Sequence, residues 1–129
     1  MCGFAGVVST GRPPTPRLLE GMLETIRHRG PDDEGLWCEG PAALGARRLS
    51  IIDVPGGHQP LSDDSGRYWI AYNGEVYNFK ELRDRLEKEG ARFRTGTDTE
   101  VVVQWFARRG EEGLADLNGM FALDRKSVV

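Results

Sequence analysis

A cysteine directly after the initiator methionine is the residue of this sequence best suited to chemistry. Removal of Met1 would leave Cys2 with both a thiol and a free α-amine. An α-amine has a pKa of about 7.7–8.0, so it can take up and return a proton near neutrality. Cys2 could then supply nucleophile and base together. The alternative is a chance cysteine at the start of a strand, and Cys2 taken alone does not exclude it.

Three other places in the sequence could take part in chemistry, although each has an ordinary structural interpretation. Asn73 and Gly74 form the dipeptide most typical of a two-residue hairpin turn. Arg48 could be a solvated arginine on a strand, which is what we expect of its neighbour Arg47. Asp98 opens a helical pattern, where an acidic side chain complements the helix dipole. These residue types alone therefore predict no activity.

The composition excludes several functional classes. A formal net charge of −3, without any block of like charges, predicts no binding to nucleic acid. No stretch approaches the roughly 20 apolar residues that cross a bilayer, and the apolar start at residues 2–8 is too short for a signal peptide, so we expect a cytoplasmic protein with no membrane partner. The cysteines and histidines match no zinc-ligand spacing, so we expect no metal site. Cys38 is expected to be a small buried hydrophobe.

Alternating short strand and helix patterns predict a single α+β domain in which helices pack on a mainly antiparallel sheet. A first helix should follow Thr15, with Pro16 in its first turn, and run to about Arg27. Segments rich in β-forming residues and bounded by turn formers predict strands. They lie at residues 4–9, 36–39, 43–52, 68–72 and 92–95.

Two further helices carry start and stop signals. Asn78 followed by Glu81 predicts a capping box at the start of one helix, and Thr97 followed by Glu100 predicts another. Glycines at positions 90 and 110 are the expected stops. A short helix that contains Leu114 and Leu117 should follow.

Six segments, in this order, resemble the glutaminase domain of asparagine synthetases, a class II glutamine amidotransferase domain. The resemblance covers residues 1–123, and six segments at the spacing of that family make a chance match improbable. The segments are MCGFAGVVS at 1–9, RHRGPDDEG at 27–35, RRLSIID at 47–53, GHQPL at 57–61, YNGEVYNFKELR at 72–83 and TGTDTEVV at 95–102.

The resemblance implies a fold, a reaction and a set of site residues. The fold is that of the N-terminal-nucleophile hydrolases, with stacked antiparallel sheets between layers of helices, incomplete in this chain. The reaction is hydrolysis of glutamine to glutamate and ammonia. The implied catalytic residues are Cys2, Asn73 and Gly74, the last two as donors to an oxyanion. The residues implied to bind glutamine are Arg48, Ile51, Ile52, Asn73, Gly74, Glu75 and Asp98.

Within this resemblance Arg48 would hold the α-carboxylate of glutamine and Asp98 its α-ammonium. His28 and His58 would have structural roles, because the α-amine already serves as the base. The domain itself would use no cofactor. ATP and Mg²⁺ are expected in a C-terminal synthetase domain of a longer parent chain, which would make asparagine from aspartate, and a homodimer is a further arrangement to consider.

Residues 124–129 do not resemble the family's sequence at this position. They can be written with the codons GATCGGAAGAGCGTCGTG, which match a short-read sequencing adapter. We therefore expect a partial glutaminase domain at residues 1–123 and a non-native tail at 124–129. Any other codons in the nucleotide record would remove this idea.

Two alternatives to the asparagine-synthetase interpretation stay open. The first keeps the glutaminase but joins it to another acceptor domain, as in asparagine-synthetase-like amidotransferases of polysaccharide pathways, glucosamine-6-phosphate synthase or amidophosphoribosyltransferase. The second is a catalytically silent binding or regulatory domain of the same fold. Retention of Cys2, Arg48, Asn73, Gly74 and Asp98 argues against the second.

Overall fold

A computed structural model of the protein describes residues 2–49 and 56–127. Two three-stranded antiparallel sheets form its centre. The first sheet has the order β1-β3-β2 and consists of β1 (Gly3–Val8), β2 (Asp33–Glu39) and β3 (Ala42–Arg48). The second has the order β4-β5-β6 and consists of β4 (Leu61–Ser62), β5 (Tyr68–Val76) and β6 (Gly119–Ser127).

Three α-helices cover the two sheets. They are α1 (Pro16–Thr25), α2 (Phe79–Lys88) and α3 (Asp98–Arg109), and two short 3₁₀ helices span Arg27–Arg29 and Gly110–Asp116. Helix α1 packs on the first sheet, while α2 packs on α3 and α3 packs on β4 and β5. Strands β1 and β3 contact β5 and β6, so the sheets stack between helix layers. None of the described helices is long and apolar enough to cross a membrane.

The alternation of side chains along β3 explains why the first sheet can be covered on both faces. Leu44 and Ala46 form a small core with Ala71 of β5, between the two sheets. Gly45 points the other way, where an added Cβ would lie 2.7 Å from Leu23 of α1. Leu23 is fully buried there. Burial of one leucine side chain contributes about 1.5–3 kcal/mol.

The larger core lies between the second sheet and the pair α2 and α3. It includes the fully buried Trp105, whose indole N–H donates to the Gly113 carbonyl at 3.0 Å. The aromatic pair Trp37 and Trp69 stacks across the two sheets with ring centroids 5.3 Å apart. The remaining members of the larger core include Ile70, Val76, Leu82, Leu86, Val101 and Val102.

The expected starts of α1 and α3 are confirmed by their caps. The Thr15 hydroxyl accepts from the Leu18 N–H at 3.3 Å, and the Thr97 hydroxyl accepts from the Glu100 N–H at 3.3 Å. Helix α3 ends at Arg109, and its C-cap is Gly110, which has a φ of +64°. A side chain is strained at that angle, so glycine suits this stop.

The capping box expected at Asn78 and Glu81 is wrong, although α2 does begin at Phe79. The Asn78 amide instead donates to the Asp116 carbonyl at 2.9 Å and accepts from the Asn118 N–H at 2.9 Å. These partners lie in the segment that leads into β6. Asn78 therefore joins two distant parts of the chain instead of capping its own helix.

The strand expected at residues 92–95 is also wrong. The backbone N–H groups of Arg94 and Thr95 donate to the Glu100 carboxylate at 2.9 and 2.7 Å, so a side chain replaces a neighbouring strand. Other boundaries differ as well. Strand β3 ends at Arg48, residues 50–55 lie outside the described part, and β5 continues to Val76. Strand β6 includes residues 124–127; the origin of that segment stays a prediction.

Candidate active site

A cavity of about 780 Å³ opens where the start of β1, the end of β3, the second half of β5 and the start of α3 meet. Every described residue that the sequence predicts for the site lines it. These are Cys2, Arg48, Asn73, Gly74, Glu75 and Asp98. Ile51 and Ile52, predicted to contact the substrate, lie outside the described residues.

Cys2 precedes β1 and is partly buried with a free thiol. Along β1, Phe4 packs in the core between the sheets, and an added Cβ on Gly6 would meet side chains of β6. Side chains alternate between the two faces of a strand, and Cys2 is two residues before Phe4. Cys2 therefore belongs to the face that looks towards the second sheet. Its carbonyl accepts a hydrogen bond from the Arg29 guanidinium at 3.1 Å, which fixes the backbone at Cys2.

Asn73 and Gly74 lie inside β5, so the hairpin turn is excluded. They pair with Ala122 and Phe121 of β6. Gly74 has a φ of +153°, and an added Cβ would lie 2.5 Å from the Phe121 Cα. Only glycine fits this position. The Asn73 side-chain amide makes no hydrogen bond to residues 2–49 or 56–127, which leaves its donors to a bound molecule.

Arg48 reaches the cavity from the last position of β3, and its side chain is only 19% exposed. Its guanidinium stands 3.9 Å from the Asp33 carboxylate, which also bonds the His58 ring nitrogen Nδ1 at 3.0 Å. An added Cβ on Gly57 would lie 2.8 Å from the Arg48 Cζ, so the guanidinium rests against bare backbone. Arg48 is therefore held in place at the cavity wall.

The expectation that Arg47 is a solvated strand arginine is wrong. Its side chain is 11% exposed and pairs with Glu24 of α1 and Glu34 of β2. The alternation of β3 sends Arg47 to the face that α1 covers, while Arg48 points to the cavity. The two arginines thus have separate environments.

Asp98 is the first residue of α3, and its Oδ2 accepts two hydrogen bonds. One comes from the Tyr72 hydroxyl and the other from the Val76 N–H, both at 3.0 Å. The loop before it is fixed by the fully buried Glu100, whose carboxylate also accepts from the Thr95 hydroxyl at 2.6 Å. Asp98 therefore presents an oriented carboxylate to the cavity.

The cavity carries opposite charges on two walls. Arg48 comes from the first sheet and Asp98 from α3, while Glu75 is exposed at the rim. A guanidinium suits a carboxylate, and a carboxylate suits an ammonium group. The cavity is thus suited to a molecule that carries both charges, such as a free amino acid. A molecule bound there would lie beside the Cys2 thiol. Within the described residues no group of three or more His, Cys, Asp and Glu side chains could hold a metal ion.

Two residues of the site were not assigned a role from the sequence. Gln59 is buried, its Oε1 accepts from the Tyr72 N–H at 2.7 Å, and its Nε2 donates to the Thr99 hydroxyl at 3.4 Å. Tyr72 is 4% exposed. Both belong to segments that carry the family resemblance, GHQPL and YNGEVYNFKELR, but their partners are distant in the sequence. No local spacing signals these contacts.

Comparison with solved structures defines the class of fold. The chain aligns with the glutamine phosphoribosylpyrophosphate amidotransferase of Bacillus subtilis, solved with ADP and GMP, with a TM-score of 0.73 at 22% identity over 98% of this chain and 35% of that one. A second structure, described as the allosteric regulatory enzyme of purine biosynthesis, gives a TM-score of 0.74 at 22% identity, with the same coverage. The fold is therefore the N-terminal-nucleophile hydrolase fold of glutamine amidotransferase domains.

The sequence then defines the family. The model of the glutamine amidotransferase domain matches residues 1–126, and the chain belongs to that family. It is similar to asparagine synthetase [glutamine-hydrolyzing] 1 of Bacillus subtilis (strain 168), with 44% identity over 95% of this chain and 20% of the relative. Asparagine synthetase B [glutamine-hydrolyzing] of Escherichia coli (strain K12) is 38% identical over 95% of this chain and 22% of its own length. The chain spans about a fifth of these relatives.

Proposed function

We propose that this chain hydrolyses glutamine to glutamate and ammonia, with Cys2 as the nucleophile after removal of Met1. The observation that carries the proposal is the convergence of Cys2, Arg48, Asn73, Gly74 and Asp98 on one cavity from four separate elements. Membership of the glutamine amidotransferase domain family supports it.

The α-amine of Cys2 takes the thiol proton, and the sulfur attacks the side-chain carboxamide carbon of glutamine. The carbonyl oxygen becomes an oxyanion, which accepts hydrogen bonds from the Asn73 amide and the Gly74 N–H. The α-ammonium of Cys2 then gives the proton to the leaving nitrogen of the substrate, so ammonia departs. A thioester between Cys2 and the substrate remains. Water activated by the same amine then attacks the thioester, which releases glutamate and restores the thiol.

Substrate recognition follows from charge. The planar guanidinium of Arg48 can bind the α-carboxylate with two hydrogen bonds. Asp98 pairs with the α-ammonium, because its hydrogen bonds from Tyr72 and Val76 both fall on Oδ2 and leave Oδ1 to a ligand. Glu75, Ile51 and Ile52 complete the proposed glutamine site.

The larger reaction is proposed from the relatives. Their names describe glutamine-hydrolysing asparagine synthetases, and identity to this chain is 37–44% for three of them. We therefore place this glutaminase in a cytoplasmic protein that transfers ammonia to aspartate in a second domain, which uses ATP and Mg²⁺. A glutaminase that serves another acceptor is the second candidate. The solved relatives are only 22% identical, so they give no reason to prefer their reaction.

Glutamate release by the protein, with its N-terminus confirmed at Cys2, tests the proposal. Cys2→Ala should abolish hydrolysis, and Cys38→Ala is the matched control. Burial raises the pKa of the Cys38 thiol, which disfavours its nucleophilic thiolate form, and Cys38 does not line the cavity. Loss of activity in both variants, or in neither, would contradict the assignment of Cys2. A protein that binds glutamine without releasing glutamate would support the silent-domain alternative.

A further inference from the structure

The hydroxyl of Tyr72 is the one side-chain donor to Asp98 among the described residues. Tyr72 points away from the first sheet and is part of the core beneath α3. Burial first, and then the nearby Asp98 carboxylate, raise the pKa of Tyr72 far above its usual value. The hydroxyl therefore stays protonated and donates a hydrogen bond to Asp98 at 3.0 Å.

Asp98 is held on one side only. Oδ2 accepts from both Tyr72 and the Val76 N–H, two donors of the same strand β5. This pair fixes the rotation of the carboxyl group about its Cβ–Cγ bond. Because both bonds go to one oxygen, the arrangement directs the other oxygen away from β5.

Tyr72 is in turn fixed from two directions. Its backbone N–H donates to the buried Gln59 side chain at 2.7 Å, and its ring lies 6.3 Å from that of Phe121. Gln59 also donates to the hydroxyl of Thr99, the residue after Asp98. The contacts thus connect β5 to the first turn of α3, where Asp98 begins the helix.

We propose that Tyr72 is a positioning residue that orients Asp98 for the α-ammonium of the substrate, and so sets the preference of the site for amino acids over carboxamides without an α-amine. This inference rests on the proposed function, since it takes glutamine as the ligand. If the Tyr72 hydroxyl had only a structural role in the core, its removal would change the stability of the protein without changing the ligand preference.

Binding without turnover gives the test. In the Cys2→Ala protein, L-glutamine and glutaramate, which is glutamine without its α-amine, are titrated by calorimetry with and without Tyr72→Phe. Tyr68→Phe is the matched control, because the Tyr68 ring packs on Phe106 of α3 and its hydroxyl makes no hydrogen bond within the described residues. Loss of one hydrogen bond to a charged group should weaken glutamine binding by about tenfold or more. Glutaramate binding should change less than about twofold, and Tyr68→Phe should change neither.

Equal weakening of both ligands would show that Tyr72 supports the cavity in general, and an unchanged glutamine affinity would show that it does not act on Asp98. Either result overturns the inference while the glutaminase proposal stands. Two results together would uphold the inference and overturn the proposed mechanism. They are selective loss of glutamine binding in Tyr72→Phe and glutamine hydrolysis that does not need Cys2. A protein that binds no glutamine would overturn both.

Discussion

At the scale of single residues, Arg48 and Arg47 are neighbours on β3 with opposite surroundings. Arg48 lines the cavity, whereas Arg47 pairs with Glu24 and Glu34 on the face that α1 covers. Arg48→Lys should raise the KM for glutamine about tenfold, because an ammonium cannot reproduce a planar two-point contact. Arg47→Lys is the matched control and should lower the melting temperature while leaving KM unchanged. Steady-state kinetics and thermal unfolding check both, and equal KM values for Arg48→Lys and the natural protein would contradict the carboxylate role.

The proposed mechanism gives Asn73 a role in the reaction step itself. Its amide lines the cavity beside Cys2 and Gly74. Asn73→Ala should lower kcat by roughly 10²–10³ with a smaller change in KM, since a donor to the oxyanion acts mainly in the transition state. Initial rates of glutamate release over a range of glutamine concentrations separate the two constants. A rise in KM with kcat intact would make Asn73 a binding residue instead.

At the scale of elements, the loop before α3 depends on one buried carboxylate. Glu100 accepts hydrogen bonds from two backbone N–H groups and the Thr95 hydroxyl. Glu100→Gln places an amide N–H₂ group against donors, so the free energy of unfolding should fall by about 1–3 kcal/mol. Glu81→Gln on the exposed face of α2 is the control and should have little effect. Urea unfolding measures both, and equal stabilities would contradict this account of the loop.

The elements also show what could be predicted from the sequence. The starts of α1 and α3 were predicted because Thr15 and Thr97 bond to residues three positions away. The role of Asn78 was not, because its partner Asn118 lies 40 positions away. Strand β5 was predicted too short for a related reason. The Asn73-Gly74 pair is typical of turns, and its pairing with β6 depends on tertiary structure.

In the candidate site, too, contacts between distant parts of the chain could not be predicted from the sequence. Its described residues were named from a resemblance of whole segments, and all of them line one cavity. Gln59 and Tyr72 were left without roles because their hydrogen bonds join β5 to the loop before β4 and to α3. Spacing along the chain cannot report a bond between elements that meet only in the folded protein.

At the scale of the whole molecule, the site exists only where both sheets and α3 meet. Cys2 directly precedes β1 and Arg48 ends β3 of the first sheet, Asn73 and Gly74 belong to β5 of the second sheet, and Asp98 begins α3. The proposed nucleophile, Cys2, directly follows Met1, and the Arg29 guanidinium donates a hydrogen bond to the Cys2 carbonyl. The proposed mechanism therefore requires a free α-amine on Cys2, which an ordinary cysteine enzyme does not require.

The most direct measurement compares glutamate release before and after a removable N-terminal extension is cut off to expose Cys2. An extension converts the α-amine into an amide, which is not a base, and adds bulk beside the thiol. We predict no release from the extended protein and full release after proteolysis, with mass spectrometry confirming the new N-terminus and with Cys2→Ala inactive in both forms. Full glutaminase activity with the extension still attached would contradict the N-terminal-nucleophile mechanism.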